Sequence, residues 1–154
     1  MKTTYLLASV TAALTLCDCR KSSHRLDEID QNVATVGDIT FARTTFESLA
    51  RGDSAVADKI DWPVFTTLDN NLGATYMALP TEIDKEKLVA SFITQFASSF
   101  RESGGSLEQF TNWRVTFHNS LRTEVAADSP NGVLTVIVSE RDGKERVNAI
   151  SLSK

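Results

Sequence analysis

The apolar residues of this chain change their period once, at Gly104-Gly105, and that switch limits what it can build. Before it, Leu88, Val89, Phe92, Ile93, Phe96 and Phe100 recur at three- and four-residue spacing. That spacing puts them on one stripe of a helix. After it, Trp113, Val115 and Phe117 alternate with Arg114, Thr116 and His118, which is the two-residue period of a strand. A helical part is therefore followed by a sheet part, and each has an apolar face to bury.

The helical part carries its own punctuation. Asp38 is placed to cap a helix on which Ile39, Ala42, Phe46 and Leu49 share a face, and Gly52 stands where such a helix ends. Asp53 then caps a short second helix, with Val56 and Ile60 on one side. Asp61-Trp62-Pro63 has the form of a further helix start, with Pro63 in the first turn. The residues up to Leu79 fit no single period. From Thr81 the long stripe begins, with Glu82, Asp84 and Glu86 favourable at the positive end of the helix dipole. Burying that stripe is worth ~1.5–3 kcal/mol per large side chain.

The sheet part reads as four strands. Asn119-Ser120 turns the first into "LRTEVAA", and "SPNG" turns again. "VLTVIVSE" is β-branched and apolar on both faces, as a central strand should be. Asp142-Gly143 is a two-residue hairpin turn into the closing strand. The expected fold is α+β: N-terminal helices packed on an antiparallel sheet of about four strands, with the long amphipathic helix on one side.

The N-terminus has a different character. Lys2 precedes an apolar run from Tyr5 to Leu16, too short to cross a bilayer, where ~20 residues are needed. This is the pattern of an export signal. "LTLCDCRKSS" follows, holding both cysteines of the chain, Cys17 and Cys19. With Leu14 and Thr15 before Cys17, it resembles a bacterial lipoprotein signal in which Cys17 takes the lipid. Leu16, where a small residue is expected, departs from that pattern, and simple cleavage and secretion is the alternative. Two cysteines supply too few ligands for structural zinc, and a ring closed between Cys17 and Cys19 is strained. The sequence thus divides into a signal peptide at 1–16, a polar tether at 17–37 that includes a short helical piece, and one domain at 38–154.

"FESLARGD", a capped short helix, a long helix, four strands and a final "VNAISL" together resemble the nuclear transport factor 2-like fold, the cystatin-like α+β roll. The resemblance covers roughly Asp38 to Lys154 and rests more on element order than on the motif. It implies a curved sheet and a cone-shaped pocket between sheet and helices. Trp62, Phe65, Tyr76, Phe96, Phe100, Trp113 and Phe117 are the candidates for its wall; the plainer reading of these aromatic residues is core.

Enzymes that share the fold use an acid or a His–Asp pair in that pocket, with a tyrosine as donor. Here His24 falls in the tether, and the strand period sends His118 to the face opposite Trp113 and Phe117. Asp61 and Asp69 read as helix caps. No histidine–acid pair emerges on matching faces, and no metal-ligand or phosphate-loop motif is found. The expected function is a non-enzymatic domain of the bacterial cell envelope, membrane-anchored through the lipid alone or else soluble in the periplasm or outside. It would bind a small apolar ligand or an envelope protein, without a cofactor. The alternative is a small lyase or isomerase of the ketosteroid-isomerase-like type, using Tyr76 and an acid such as Asp61. A net charge of -4 gives no general attraction to nucleic acid. The polar sheet face leaves room for a homodimer.

Overall fold

The computed structural model describes residues 20–68 and 70–154. Cys17, the expected signal peptide at 1–16 and Asp69 lie outside them. Among the described residues no helix is long and apolar enough to cross a membrane.

Helix α1 runs from Arg20 to Arg51 without a break. No proline or glycine interrupts residues 20–36, so the two strongest helix breakers are absent from that stretch. The backbone of the expected tether is accordingly helical from Arg20 and continuous with the domain. Asp38 therefore does not cap a helix start. Its Oδ2 instead accepts a hydrogen bond from the Thr123 hydroxyl at 2.7 Å. Gly52, at φ +80°, ends α1 in the left-handed conformation that favours glycine. Asp53 then accepts from the Ala55 N–H and caps a 3-10 helix at Ser54–Lys59.

The stretch of mixed period forms a short turn at Trp62–Val64, two short strands, β1 (Thr66–Thr67) and β2 (Asn70–Asn71), and helix α2 (Leu72–Ala78). Helix α3 (Glu82–Glu102) starts where expected, with the Thr81 hydroxyl accepting from the Asp84 N–H at 3.1 Å. After it come β3 (Thr111–His118), β4 (Thr123–Ser129), β5 (Gly132–Arg141) and β6 (Lys144–Ser153).

The fold is α+β, and its sheet has six strands in the order β2-β1-β6-β5-β4-β3. The four long strands form the expected antiparallel meander, with β5 inside it. The two additional strands sit beyond β6, and β1 pairs with β6 in parallel, so the sheet is mixed. Asp142 and Gly143, both at positive φ, form the turn from β5 to β6, as a two-residue hairpin requires.

Helix α1, rather than α3, lies across the sheet, touching β3, β4, β5 and β6, and α3 packs on α1. The small residues Ala42 and Ala50 on the buried face of α1 permit that close approach. Phe46, on the same face, stands edge-on to Phe96, Phe100 and Phe110 with ring centroids 4.9–6.4 Å apart. A tilted contact with Trp113 at 6.2 Å completes the joint between helices and sheet. Val125, Ala127, Leu134, Val136, Val138, Val147 and Ile150 form the sheet's side of the core.

Candidate functional site

Where α3 ends, the two layers part. A cavity of about 910 Å³ opens between the last turns of α3, the β4–β5 turn and the end of β6. Phe46, Phe96, Phe100 and Phe110 form its helix-side wall, and Leu134, Ile150 and Leu152 its sheet-side wall. Leu134, Ile150 and Leu152 occupy alternate positions on one sheet face, as the strand pleat dictates, with Leu134 opposite Leu152. Ser99, Ser103, Gln109, Asn131 and Lys154 bring polar groups to the lining. Among the described residues, none that lines it is Asp, Glu or His. An apolar chamber with a few polar groups is the usual form of a small-molecule site, and this volume is within the usual range of ~300–1,000 Å³.

Of the seven aromatic residues expected at a pocket wall, Phe96 and Phe100 line this cavity. Trp62 and Phe65 pack together and against Phe92 in the core, and the Trp62 indole donates to the Ala57 carbonyl at 2.9 Å. Trp113 is half-buried against Phe46. Tyr76 sits at the core margin with the Lys85 ammonium 5.3 Å from its ring centre. Phe117 faces outward, 42% exposed, under the Arg122 guanidinium. Phe46 and Phe110 were missed as wall residues. The stripe on the first helix singled out Phe46 as core, and no periodic signal marks Phe110.

Asp61 does not cap the turn that follows it. Its carboxylate is buried and pairs with Arg141 at 2.7 Å. Neither Asp61 nor Tyr76 lines the cavity.

A second constellation corrects the expectation for His118. The pairing of β3 with β4 shifts register between Val115 and Phe117. Phe117 lies opposite Glu124, and His118 opposite the buried Thr123. One extra residue reverses the alternation, so His118 shares a face with Thr123 and Phe117 does not. A histidine–acid pair then does form: His118 Nδ1 lies 2.8 Å from the Thr123 hydroxyl and 3.8 Å from Asp38 Oδ2. Thr123 spends its one proton on Asp38, so Nδ1 must donate to Thr123, which leaves Nε2 as the acceptor of the neutral ring. Glu145 adjoins this group. Loss of hydration pushes its carboxyl above the ordinary range, and the hydrogen bond to Asp38 and the charges of Asp38 and Glu140 add to the effect. Its side chain keeps contact with water, which screens these terms. His118, Asp38 and Glu145 are all absent from the cavity lining.

Elsewhere, hydrogen bonding from Arg43 holds Glu47 below the ordinary carboxylate range despite partial burial, with Arg51 assisting. Asn112 and Arg114 do the same for Asp128 on the outer face of the sheet. Among the described residues no group of three or more His, Cys, Asp or Glu side chains is placed to hold a metal ion.

Compared with known protein families, with curated proteins and with solved structures, the chain matches none.

Proposed function

We propose that this chain is a non-enzymatic binding module whose cavity takes a small apolar ligand, on a domain of the nuclear transport factor 2-like, cystatin-like roll type. The observation that carries this reading is the composition of the cavity wall, which among the described residues has aromatic and aliphatic side chains, a few neutral polar groups, one lysine and no carboxylate or imidazole. General acid–base chemistry needs a titratable group within reach of the reacting atom. The groups best suited to it, His118 with Asp38 and Glu145, lie away from the cavity lining, and Asp61 is committed to Arg141. Binding is therefore favoured over the lyase or isomerase alternative. The roll assignment is supported by α1 lying across one face of a four-strand meander and by a cavity between the layers.

The module is exported, with Cys17 as the lipid-bearing residue behind the apolar run at Tyr5–Leu16. Labelled palmitate fed to a bacterium expressing the chain should enter the protein and be lost in Cys17→Ser. Label that persists in that variant refutes the anchor.

Ligand binding is tested with Nile red, a neutral apolar dye, on the purified protein. Leu152→Trp, which sets a bulkier ring in the lining of the large cavity from a half-exposed position, should weaken the dye's fluorescence gain several-fold and leave the urea midpoint within error. Dye binding that is absent in the parent protein, or indifferent to Leu152→Trp, sinks the reading.

A further inference from the structure

Helix α1 meets the sheet at Asp38. Val36 and Gly37 before it are exposed, and the Asp38 side chain is largely buried. From there it reaches three strands. Its Oδ2 accepts from Thr123 on β4, which itself accepts from His118 on β3. Its carboxyl also shares a hydrogen bond with that of Glu145 on β6. Two carboxyls can share a hydrogen bond only while one of them keeps a proton. When both ionise, they are like charges in contact. The helix is weak at the same place. Gly37 lies inside α1, where glycine is less favourable than alanine. A Cβ there would meet no atom within 4 Å, so packing does not require the glycine. The Thr40 hydroxyl bonds back to the Val36 carbonyl at 2.9 Å, a contact that bends and weakens helices.

Each neighbouring element adds its charges. On α1, residues 31–37 carry no ionisable side chain, and Arg43 is held by Glu47. Asp30 is eight residues along the helix, about 12 Å at 1.5 Å per residue. Strand β3 supplies His118, with Nδ1 3.8 Å from Asp38 Oδ2. Arg122, ahead of β4, is held by Glu124 at 2.7 Å. Strand β5 supplies Glu140, opposite Glu145, while Arg141 is held by Asp61. On β6, Arg146 donates to the Asp58 carbonyl, and the pleat turns it and Lys144 away from the side of Glu145. Among the described residues, no lysine or arginine forms an ion pair with Asp38, Glu140 or Glu145.

We propose that Gly37 and Asp38 form a proton-operated hinge at the root of α1. With one proton held between Asp38 and Glu145, the hinge is clasped to the sheet and α1 is a single rod. Without that proton the two carboxylates part, and residues 36–42 open more often. The hinge works whatever the cavity holds. Its direction follows from Glu145, which binds its proton more tightly in the folded chain. The clasp is therefore complete at acid pH and weakens as pH rises.

The experiment is amide hydrogen exchange of the purified full chain, read by mass spectrometry at pH 4 and pH 7 and corrected for the intrinsic pH dependence of exchange. Protection of residues 36–42 should fall about three-fold or more between the two, relative to residues 88–96 of α3, which lie outside the clasp. Glu145→Gln keeps a hydrogen-bond donor without the charge, and it should hold protection at the acid level at both pH values. Asp38→Asn should flatten the dependence as well. His118→Gln should leave it in place, which separates the carboxyl pair from the titration of an imidazole. Gly37→Ala should raise protection about four- to five-fold at both pH values, the usual gain of alanine over glycine in a helix. Protection that does not change with pH in the parent protein overturns the proposal. So does a dependence that survives in Glu145→Gln or Asp38→Asn, or one that vanishes in His118→Gln. Unchanged or lower protection in Gly37→Ala overturns the hinge.

Discussion

Truncating Phe46 tests whether one side chain joins the helices to the sheet. Phe46 is 3% exposed and touches four other aromatic rings, from α3, from the segment before β3 and from β3 itself. Phe-to-Ala changes in cores cost about 3–5 kcal/mol. Edge-to-face pairs add ~0.5–1.5 kcal/mol beyond burial, which argues for the upper end. The ring also borders the large cavity, so part of its surface already lacks packed neighbours, and that argues for the lower end. The two adjustments are of similar size, so Phe46→Ala should cost about 3–4 kcal/mol. Urea unfolding followed by tryptophan fluorescence reads this directly, since Trp113 touches the ring and Trp62 reports from the core near α2 and α3. The midpoint should fall with an unchanged slope, the sign of lost stability rather than an altered unfolded state. Phe117→Ala, at an outward position, is the control and should cost less than about 1 kcal/mol. A loss below ~1.5 kcal/mol for Phe46→Ala, or equal losses for the two variants, would refute the argument.

Three further outcomes concern individual polar groups. Thr45 is wholly buried on α1 with an unpartnered hydroxyl; Thr45→Val should raise stability by roughly 1 kcal/mol in the same urea assay, and a loss would mean the hydroxyl is satisfied. Arg141→Ala strands the buried Asp61 carboxylate and should cost about 1–2 kcal/mol, reduced from the fully buried case because Arg141 is half-exposed. Adding Asp61→Asn should recover part of that loss, and a double variant with the summed cost would disprove the pairing. Glu145 binds its proton more tightly in the folded chain than in the unfolded one, so its stabilising contribution is full below its ordinary pKa of 4.5 and is lost as pH rises through the raised value. Glu145→Gln should flatten that decline and increase stability at neutral pH; a steeper decline in urea midpoint between pH 4 and 7 contradicts the assignment.

Much of the scaffold was readable because its signals are local. Thr81, Gly52-Asp53 and Asp142-Gly143 each act within a few residues, and each sits where its chemistry placed it. The stripe from Leu88 to Phe100 likewise named the buried face of α3. What the sequence did not disclose depends on partners far along the chain. Asp61 looked like a cap because Arg141, its actual partner, is 80 residues away. His118 went to the wrong face because a bulge in β3 is set by pairing with β4. Strands β1 and β2 are two residues each, too short to show any period. The cavity was legible only in part, since a stripe says which side chains turn inward. Whether the opposite layer fills the space they face depends on how far the layers part, as they do beyond Phe100.

The unbroken run of α1 changes what an N-terminal attachment would do. Eighteen residues of flexible chain would span about 23 Å on average, from ~5–6 Å times the square root of the residue number. The same residues as a helix span about 27 Å, at 1.5 Å per residue. The reach is almost the same, but the freedom is not. A leash lets its load tumble; a rod fixes both height and bearing. With α1 helical from Arg20 to Arg51, the mouth of the cavity keeps one direction relative to the N-terminal end of that helix. Each residue added to or removed from the rod turns the domain by about 100°. The length of this polar stretch, more than its composition, then decides which face the domain presents.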